Sequence, residues 1–227
     1  MKKLLVILFF TLVTINAQNF TVEKVSGEVK LLQGTSENWE NVKTGQILTS
    51  TDLLLTEEKS LVQLVKNDEK FLIKGDVAIG LNHIKQITVN ELILALTLDE
   101  IRNVPKIKRN SLSKNTAVYG SEVKNSSNIQ ITDEILGEKK INGAKLLNEN
   151  GYVESSIIAA KEVFRNYPQL ANDFEDRLYF ADLLKDLELY QEASSEYRRI
   201  EKINLTEEQN TLIEKRSEEV NLKLMDK

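Results

Sequence analysis

A chain of 227 residues with 41% hydrophobic and 29% charged side chains is a folded protein, long enough for one generous domain or two small ones. Its net charge of −5, or −7 once Lys2 and Lys3 are discounted with the leader, makes it a poor ligand for nucleic acid or an anionic membrane surface. The absence of cysteine excludes disulfides, thiolate metal sites, thiol catalysis and a cysteine-linked lipid anchor.

Residues 1–17 read as a signal peptide. Met1, Lys2 and Lys3 form a basic start, residues 4–15 are an apolar run of twelve, and Ala17 precedes Gln18 at a cleavage site. A spanning helix needs about 20 apolar residues, so the run fits an export signal; an uncleaved leader acting as an anchor is the alternative. The mature chain is expected to be periplasmic or secreted, with no transmembrane helix.

Residues 18–88 form a β-rich module. Phe20 and Val22 alternate with polar residues, and Val25, Gly27, Val29 and Leu31 continue a period of two that predicts one half-buried strand. Residues 33–36 are a turn, and Gly45 marks another turn or a bulge between Val42 and Ile47. Residues 61–66 read as a strand covered on both faces. Residues 67–70 suit a hairpin loop, and two short strands flank Lys74, Gly75 and Asp76. Strand signals every eight to twelve residues predict a sandwich, barrel or solenoid of short strands, among which periodicity does not choose.

The order of landmarks is more specific than the strands. Val25-Ser26-Gly27-Glu28-Val29 precedes Trp39, Val42, Gly45 and Leu48, then Asp52, Leu54 and Thr56, then Ser60, Gln63 and Leu64. Over residues 20–88 this order resembles the FecR-like domain, a β-rich extracytoplasmic module. The chain departs from the family pattern at Asp68, which Glu69 follows instead of glycine, so that turn is not expected to be type I′. It departs again at Asp52, which Thr51 precedes instead of glycine. Regulatory members of that family carry a cytoplasmic segment and a transmembrane helix. Neither is read here, so the resemblance implies an exported binding or scaffolding unit and not classical anti-sigma regulation.

Residues 89–138 form a capped helix and a connector. Thr88 and Glu91 have the spacing of a capping box, and Val89, Leu92, Ile93 and Leu96 make one apolar face. Leu94, Leu98 and Ile101 widen it, which predicts a well-buried helix ended near Asn103 by Pro105. Lys106, Lys108, Arg109 and Lys114 form either a solvated linker or a basic patch for an anionic glycan or lipid headgroup. Residues 116–122 could add one strand.

Residues 139–227 read as helical. Ile141, Ala144 and Leu147 precede Gly151 at a C-cap position; Val153, Ile157, Ala160, Val163 and Phe164 form a stripe that Pro168 ends. Phe174, Leu178, Ala181 and Leu184 repeat the pattern, followed by Tyr190, Ala193, Tyr197 and Ile200. Ser156 aligns with Ala193 and Val163 with Ile200, a period of 37 residues, and the two segments resemble degenerate tetratricopeptide repeats. The second copy has Glu188 at the turn-glycine position and Leu205 at the proline position. Thr206 and Gln209 open a last capped helix that would close the stack, with Glu214, Lys215 and Glu218 on its solvated face. This end is expected to dock on the β module or on a partner; a plain antiparallel bundle is the alternative.

No residues are assigned as catalytic, cofactor-binding or metal-binding. His83 is the only histidine and reads as a surface or turn residue; no nucleophile elbow, phosphate loop, zinc-protease or EF-hand motif occurs. Trp39 is expected in the core, with a sugar- or protein-anchoring role as the alternative. The fold class is therefore α+β with segregated halves. The function expected is that of an exported, non-enzymatic protein-interaction or scaffold protein of the bacterial cell envelope, without cofactor and with a protein partner. A glycan- or peptidoglycan-binding envelope protein is one alternative, and a hydrolase with an unrecognised site is another.

Overall fold

A computed structural model describes residues 19–103 and 132–226. The leader, the basic cluster at Lys106, Lys108, Arg109 and Lys114, and the strand expected over 116–122 lie outside the described residues. The halves are segregated as the sequence predicts: an all-β region over residues 19–80, then six α-helices among the described residues.

The β region is a sandwich of two four-stranded antiparallel sheets. Its strands are β1 (Asn19–Ser26), β2 (Val29–Leu32), β3 (Trp39–Asn41), β4 (Ile47–Thr49), β5 (Leu53–Thr56), β6 (Leu61–Lys66), β7 (Glu69–Lys74) and β8 (Val77–Gly80). One sheet runs β4-β1-β6-β7 and the other β3-β2-β5-β8. Phe20, Val22, Val62, Leu64 and Ile73 from the first meet Val29, Leu31, Leu54 and Ile79 from the second in one interior. Every second residue points inward, which is the physical basis of the alternation in the sequence.

Residues 25–31 are not one strand. Gly27, at φ +78, turns the chain out of one sheet and into the other, so β1 and β2 pair with different neighbours. The turn is packed as well as bent: a Cβ at Gly27 would lie 2.5 Å from Ser60 Oγ, which accepts a hydrogen bond from Glu28 N at 2.7 Å. A period of two continues unbroken across such a corner, so alternation alone does not reveal it. Residues 61–66 also differ from expectation. Val62 and Leu64 are buried, but Leu61, Gln63 and Val65 are only half-buried on the outer face.

The β6–β7 hairpin corrects a second expectation. Its two-residue loop is Asn67-Asp68, with φ of 50 and 66, and Glu69 already pairs with Lys66 in the ladder. Positive φ at both central residues is the type I′ signature, and Asn and Asp tolerate it without glycine. Reading Asp68-Glu69 as the turn placed it one residue too late.

The helices are α1 (Val89–Asn103), α2 (Asp133–Glu149), α3 (Val153–Asn166), α4 (Phe174–Asp186), α5 (Tyr190–Ile200) and α6 (Glu207–Met225). Thr132 caps α2, so that helix begins ahead of residue 139. Two hairpin turns repeat 37 residues apart. Gly151 has φ +81 and Glu188 φ +59, and Tyr152 N donates to Leu147 O as Leu189 N donates to Leu184 O, both at 2.9 Å. These are the left-handed C-terminal turns that close a helix and start its partner.

Side-chain contacts set the helices in two layers. Asn148 to Tyr179 and Lys145 to Asp176 join α2 to α4, and Lys185 to Glu219 and Arg216 to Asp182 join α4 to α6. Lys161 to Glu196 joins α3 to α5 in the other layer. The α4–α5 hairpin is further held by Tyr197, whose hydroxyl donates to Asp182 Oδ1 at 2.5 Å; burial, then that carboxylate, push its pKa above the usual tyrosine range. Helix α1 lies on the α3/α5 layer, and the sandwich lies against α2.

Candidate functional site

The sandwich and the helical array meet where α2 runs along β8. Gly143 sits so close to that strand that a Cβ there would lie 2.1 Å from Ala78 O, and Asn142 Nδ2 donates to Asp76 O at 2.9 Å. Lys139, its side chain 6% exposed, pairs with Glu57 at 3.0 Å and with Asp76. Burial opposes its charge, but these two carboxylates outweigh that and hold the ammonium above the usual lysine range. At the far end of α2, Tyr152 packs edge-on against Phe71 of β7, with ring centroids 5.6 Å apart.

Beside this junction is a cleft of about 180 Å³, floored by Leu53, Ala78 and Gly80 and walled by Lys140, Glu162 and Tyr167. His83 lies in it, on the short 3-10 turn Leu81–His83 that follows β8. On that turn, a position the sequence allows for it, it faces Glu162 at 3.3 Å (Nε2 to Oε2) and Asn82 Nδ2 at 3.4 Å, partners that the sequence does not indicate. The contact with His83 holds the Glu162 carboxyl below the usual range; burial works the other way, and Lys140 and Arg165 add to the lowering. Lys140 Nζ sits 5.5 Å from the Tyr167 ring centroid, a cation–π contact.

The cleft has a histidine–carboxylate pair and two hydroxyls, on Thr51 and Tyr167. The Thr51 hydroxyl bonds that of Thr49 at 2.8 Å. Asp52 spends both oxygens on backbone amides, Gly34 N at 3.1 Å and Thr49 N at 2.8 Å. Thr56 Oγ1 bonds Gly75 O. The landmark residues Gly27, Asp52, Thr56 and Ser60 therefore hold turns. Among the described residues, no group of three or more His, Asp or Glu side chains could hold a metal ion.

The second candidate surface is the contact that α1 makes with the helical array. Its capping box forms as expected: Thr88 N donates to Glu91 Oε2 at 2.7 Å and Glu91 N to Thr88 Oγ1 at 3.2 Å. Burial of the helix does not follow the prediction. Leu92 and Leu96 are 0% and 8% exposed, in a core shared with Ile157, Leu184 and Ala193, whereas Leu94 and Leu98 are 60% and 47% exposed. Residues two apart on a helix point to different sides, so one packing surface cannot bury both pairs. Burying the inward pair contributes about 3–6 kcal/mol. One turn later, Asp99 pairs with Arg165 of α3 and Glu100 with Arg199 of α5, the latter at 3.3 Å.

Behind those pairs is a buried ionic cluster. The Glu196 carboxylate receives Arg199 Nη1 at 2.6 Å, Arg177 Nη2 at 3.1 Å, and Lys161. Burial would raise the Glu196 pKa, but the three cations together hold it below the carboxylate range. Lys161 is driven down by burial, which its pairing with Glu196 only partly offsets.

Trp39 departs from expectation. It is half-buried on the edge strand β3, opposite Leu32, and is not part of either core cluster. An edge strand has a neighbour on one side only, so a large side chain there keeps one flank in water. Among the described residues, no helix is long and apolar enough to cross a membrane. Comparisons with protein-family models, curated proteins and solved structures found no match.

Proposed function

We propose that this chain is an exported, non-enzymatic scaffold protein of the bacterial cell envelope, whose FecR-like module and tetratricopeptide-like helices act as one body to hold a protein partner. The observation that carries this reading is α1. The helical array carries an amphipathic helix across two of its members, through two buried leucines and two acid–arginine pairs. That is the helix-in-groove mode of recognition, with anchors at i and i+4. The matched turns at Gly151 and Glu188 support the repeat reading, and the turn-holding roles of Gly27, Asp52, Thr56 and Ser60 are compatible with the FecR-like one.

The test is affinity capture from envelope extract with the full chain and with Arg165→Glu/Arg199→Glu as bait. A partner retained reproducibly by the first and lost by the second is the expected result. No reproducible partner counts against the reading. Export is tested separately: N-terminal sequencing of the mature protein should begin at Gln18, and an intact Met1 in the cytoplasmic fraction overturns it.

A second reading, glycan binding, is favoured by Trp39, whose half-exposed ring on an edge strand could stack on a sugar. Retention on purified cell-wall polymer that Trp39→Ala abolishes would support it. A chain that does not bind the polymer removes it.

A further inference from the structure

We infer that the face formed by α3 and α5 is a receptor for an acidic amphipathic helix, that α1 is its built-in occupant, and that a partner helix with two leucines four apart, followed by an acidic pair, takes α1's place. This inference rests on the scaffold reading and names the partner's chemistry.

Three observations carry it. First, α1 closes its own N-terminus through Thr88 and Glu91, so starting the helix does not require the array. Second, its anchors are compact and separable: Leu92 and Leu96 enter the apolar core, and Asp99 and Glu100 meet Arg165 and Arg199 one turn on. A second helix with the same four side chains at the same spacing presents the same surface. Third, two arginines of the receptor face take carboxylates from α1. Arg165 and Arg199 pair with Asp99 and Glu100, and the other cation there, Lys161, is matched within the array by Glu196. A helix with lysines at those two positions would set like charges against Arg165 and Arg199, which selects an acidic helix over a basic one.

Leu94 lies outside the pattern that the array reads, and Leu98 stands at the rim of the groove beside Ile158 and Arg165 of α3. A competing helix needs only the inward pattern, so its outer face is unconstrained by this array.

The experiment uses a fluorescein-labelled peptide of residues 88–103 and the full chain, read by fluorescence anisotropy. Leu92→Ala/Leu96→Ala weakens the resident helix, and the variant chain should bind the peptide at least tenfold more tightly than the unaltered chain. Adding Arg165→Glu/Arg199→Glu should abolish binding, and a peptide carrying Asp99→Lys/Glu100→Lys should restore it. Equal affinity for the unaltered and Leu92→Ala/Leu96→Ala chains, with native circular dichroism in both, overturns the inference. If the double-alanine chain fails to fold, Asp99→Lys/Glu100→Lys in the full chain replaces it. That variant leaves both leucines in place and should bind the unaltered peptide at least threefold more tightly than the parent; no gain overturns the inference.

The two proposals fail differently. A chain that binds the peptide as described but captures no envelope protein leaves the receptor face standing and removes the scaffold role. A chain that captures a partner undisturbed by excess peptide keeps the scaffold role and removes the receptor face.

Discussion

Glu196 is the residue on which most of the helical half's buried charge depends. Lys161, Arg177 and Arg199 converge on its carboxylate, and removing it leaves Lys161 and Arg177 charged in a poorly solvated place, while Arg199, 40% exposed, keeps Glu100 and water. Glu196→Gln keeps the shape and some hydrogen bonding but discards the charge, and should cost about 3 kcal/mol at pH 7. Because the folded pKa is depressed, the carboxylate's contribution is present above the ordinary value of 4.5 and is lost as pH falls through the folded value. Urea unfolding of the variant should thus lose less stability than the parent between pH 6 and the acid range below about 4.5. Parallel loss in the two proteins would show that Glu196 contributes little. Glu162 should behave in the same sense on a smaller scale, since its contact with His83 is the first cause of its lowered pKa. His83→Ala should therefore weaken the acid dependence that Glu162 confers, whereas an unchanged pH profile would exclude the pair as a contributor.

At the scale of elements, the two hairpin turns make a matched experiment. Gly151 and Glu188 occupy equivalent left-handed positions 37 residues apart, but only one is glycine. A side chain in that conformation costs about 1 kcal/mol, and Glu188 is exposed, so Glu188→Gly removes strain without uncovering a core. It should stabilise the protein by about 1 kcal/mol, and Gly151→Ala should destabilise it by a similar amount. A neutral or harmful Glu188→Gly in thermal unfolding would mean that the carboxylate makes a contribution the turn geometry does not explain. The helices themselves were legible because their signals are local: capping boxes at Thr88 and Thr206, stripes at i, i+3 and i+4, and stops at Gly151 and Pro168. The strands were legible by alternation, and the corner at Gly27 was not, because it depends on Ser60, thirty-three residues away in sequence. The exposure of Leu94 and Leu98 on α1 escapes the sequence pattern for a related reason. Leu94 and Leu98 extend its apolar character, but whether an apolar stripe is covered is decided by what lies opposite it. The cleft left no signal at all, since His83, Lys140 and Glu162 come from three separate elements.

At the scale of the whole molecule, the decisive feature is that one apolar cluster runs from Phe20 in β1 through Ile141 in α2 to Phe180 in α4. Sandwich and array therefore share a core, and the unaltered protein should unfold in one calorimetric transition, with calorimetric and van't Hoff enthalpies in agreement. Gly143 tests what couples the halves, because the two effects of Gly143→Ala oppose each other. Alanine improves helix propensity by about 1 kcal/mol, which alone would stabilise α2. Against that, the new Cβ would lie 2.1 Å from the carbonyl oxygen of Ala78, a backbone atom of β8 that cannot swing aside as a flexible side chain could. Separating the elements to relieve the overlap costs about 3 kcal/mol and loosens the contacts of Lys139 with Glu57 and Asp76, which cross the same junction. The net expectation is a loss of about 2 kcal/mol and a transition that broadens or divides in two as the sandwich and the array uncouple. A single, sharper transition at higher temperature would show that propensity outweighs packing at this site, and that the contact between α2 and β8 does not hold the two halves together.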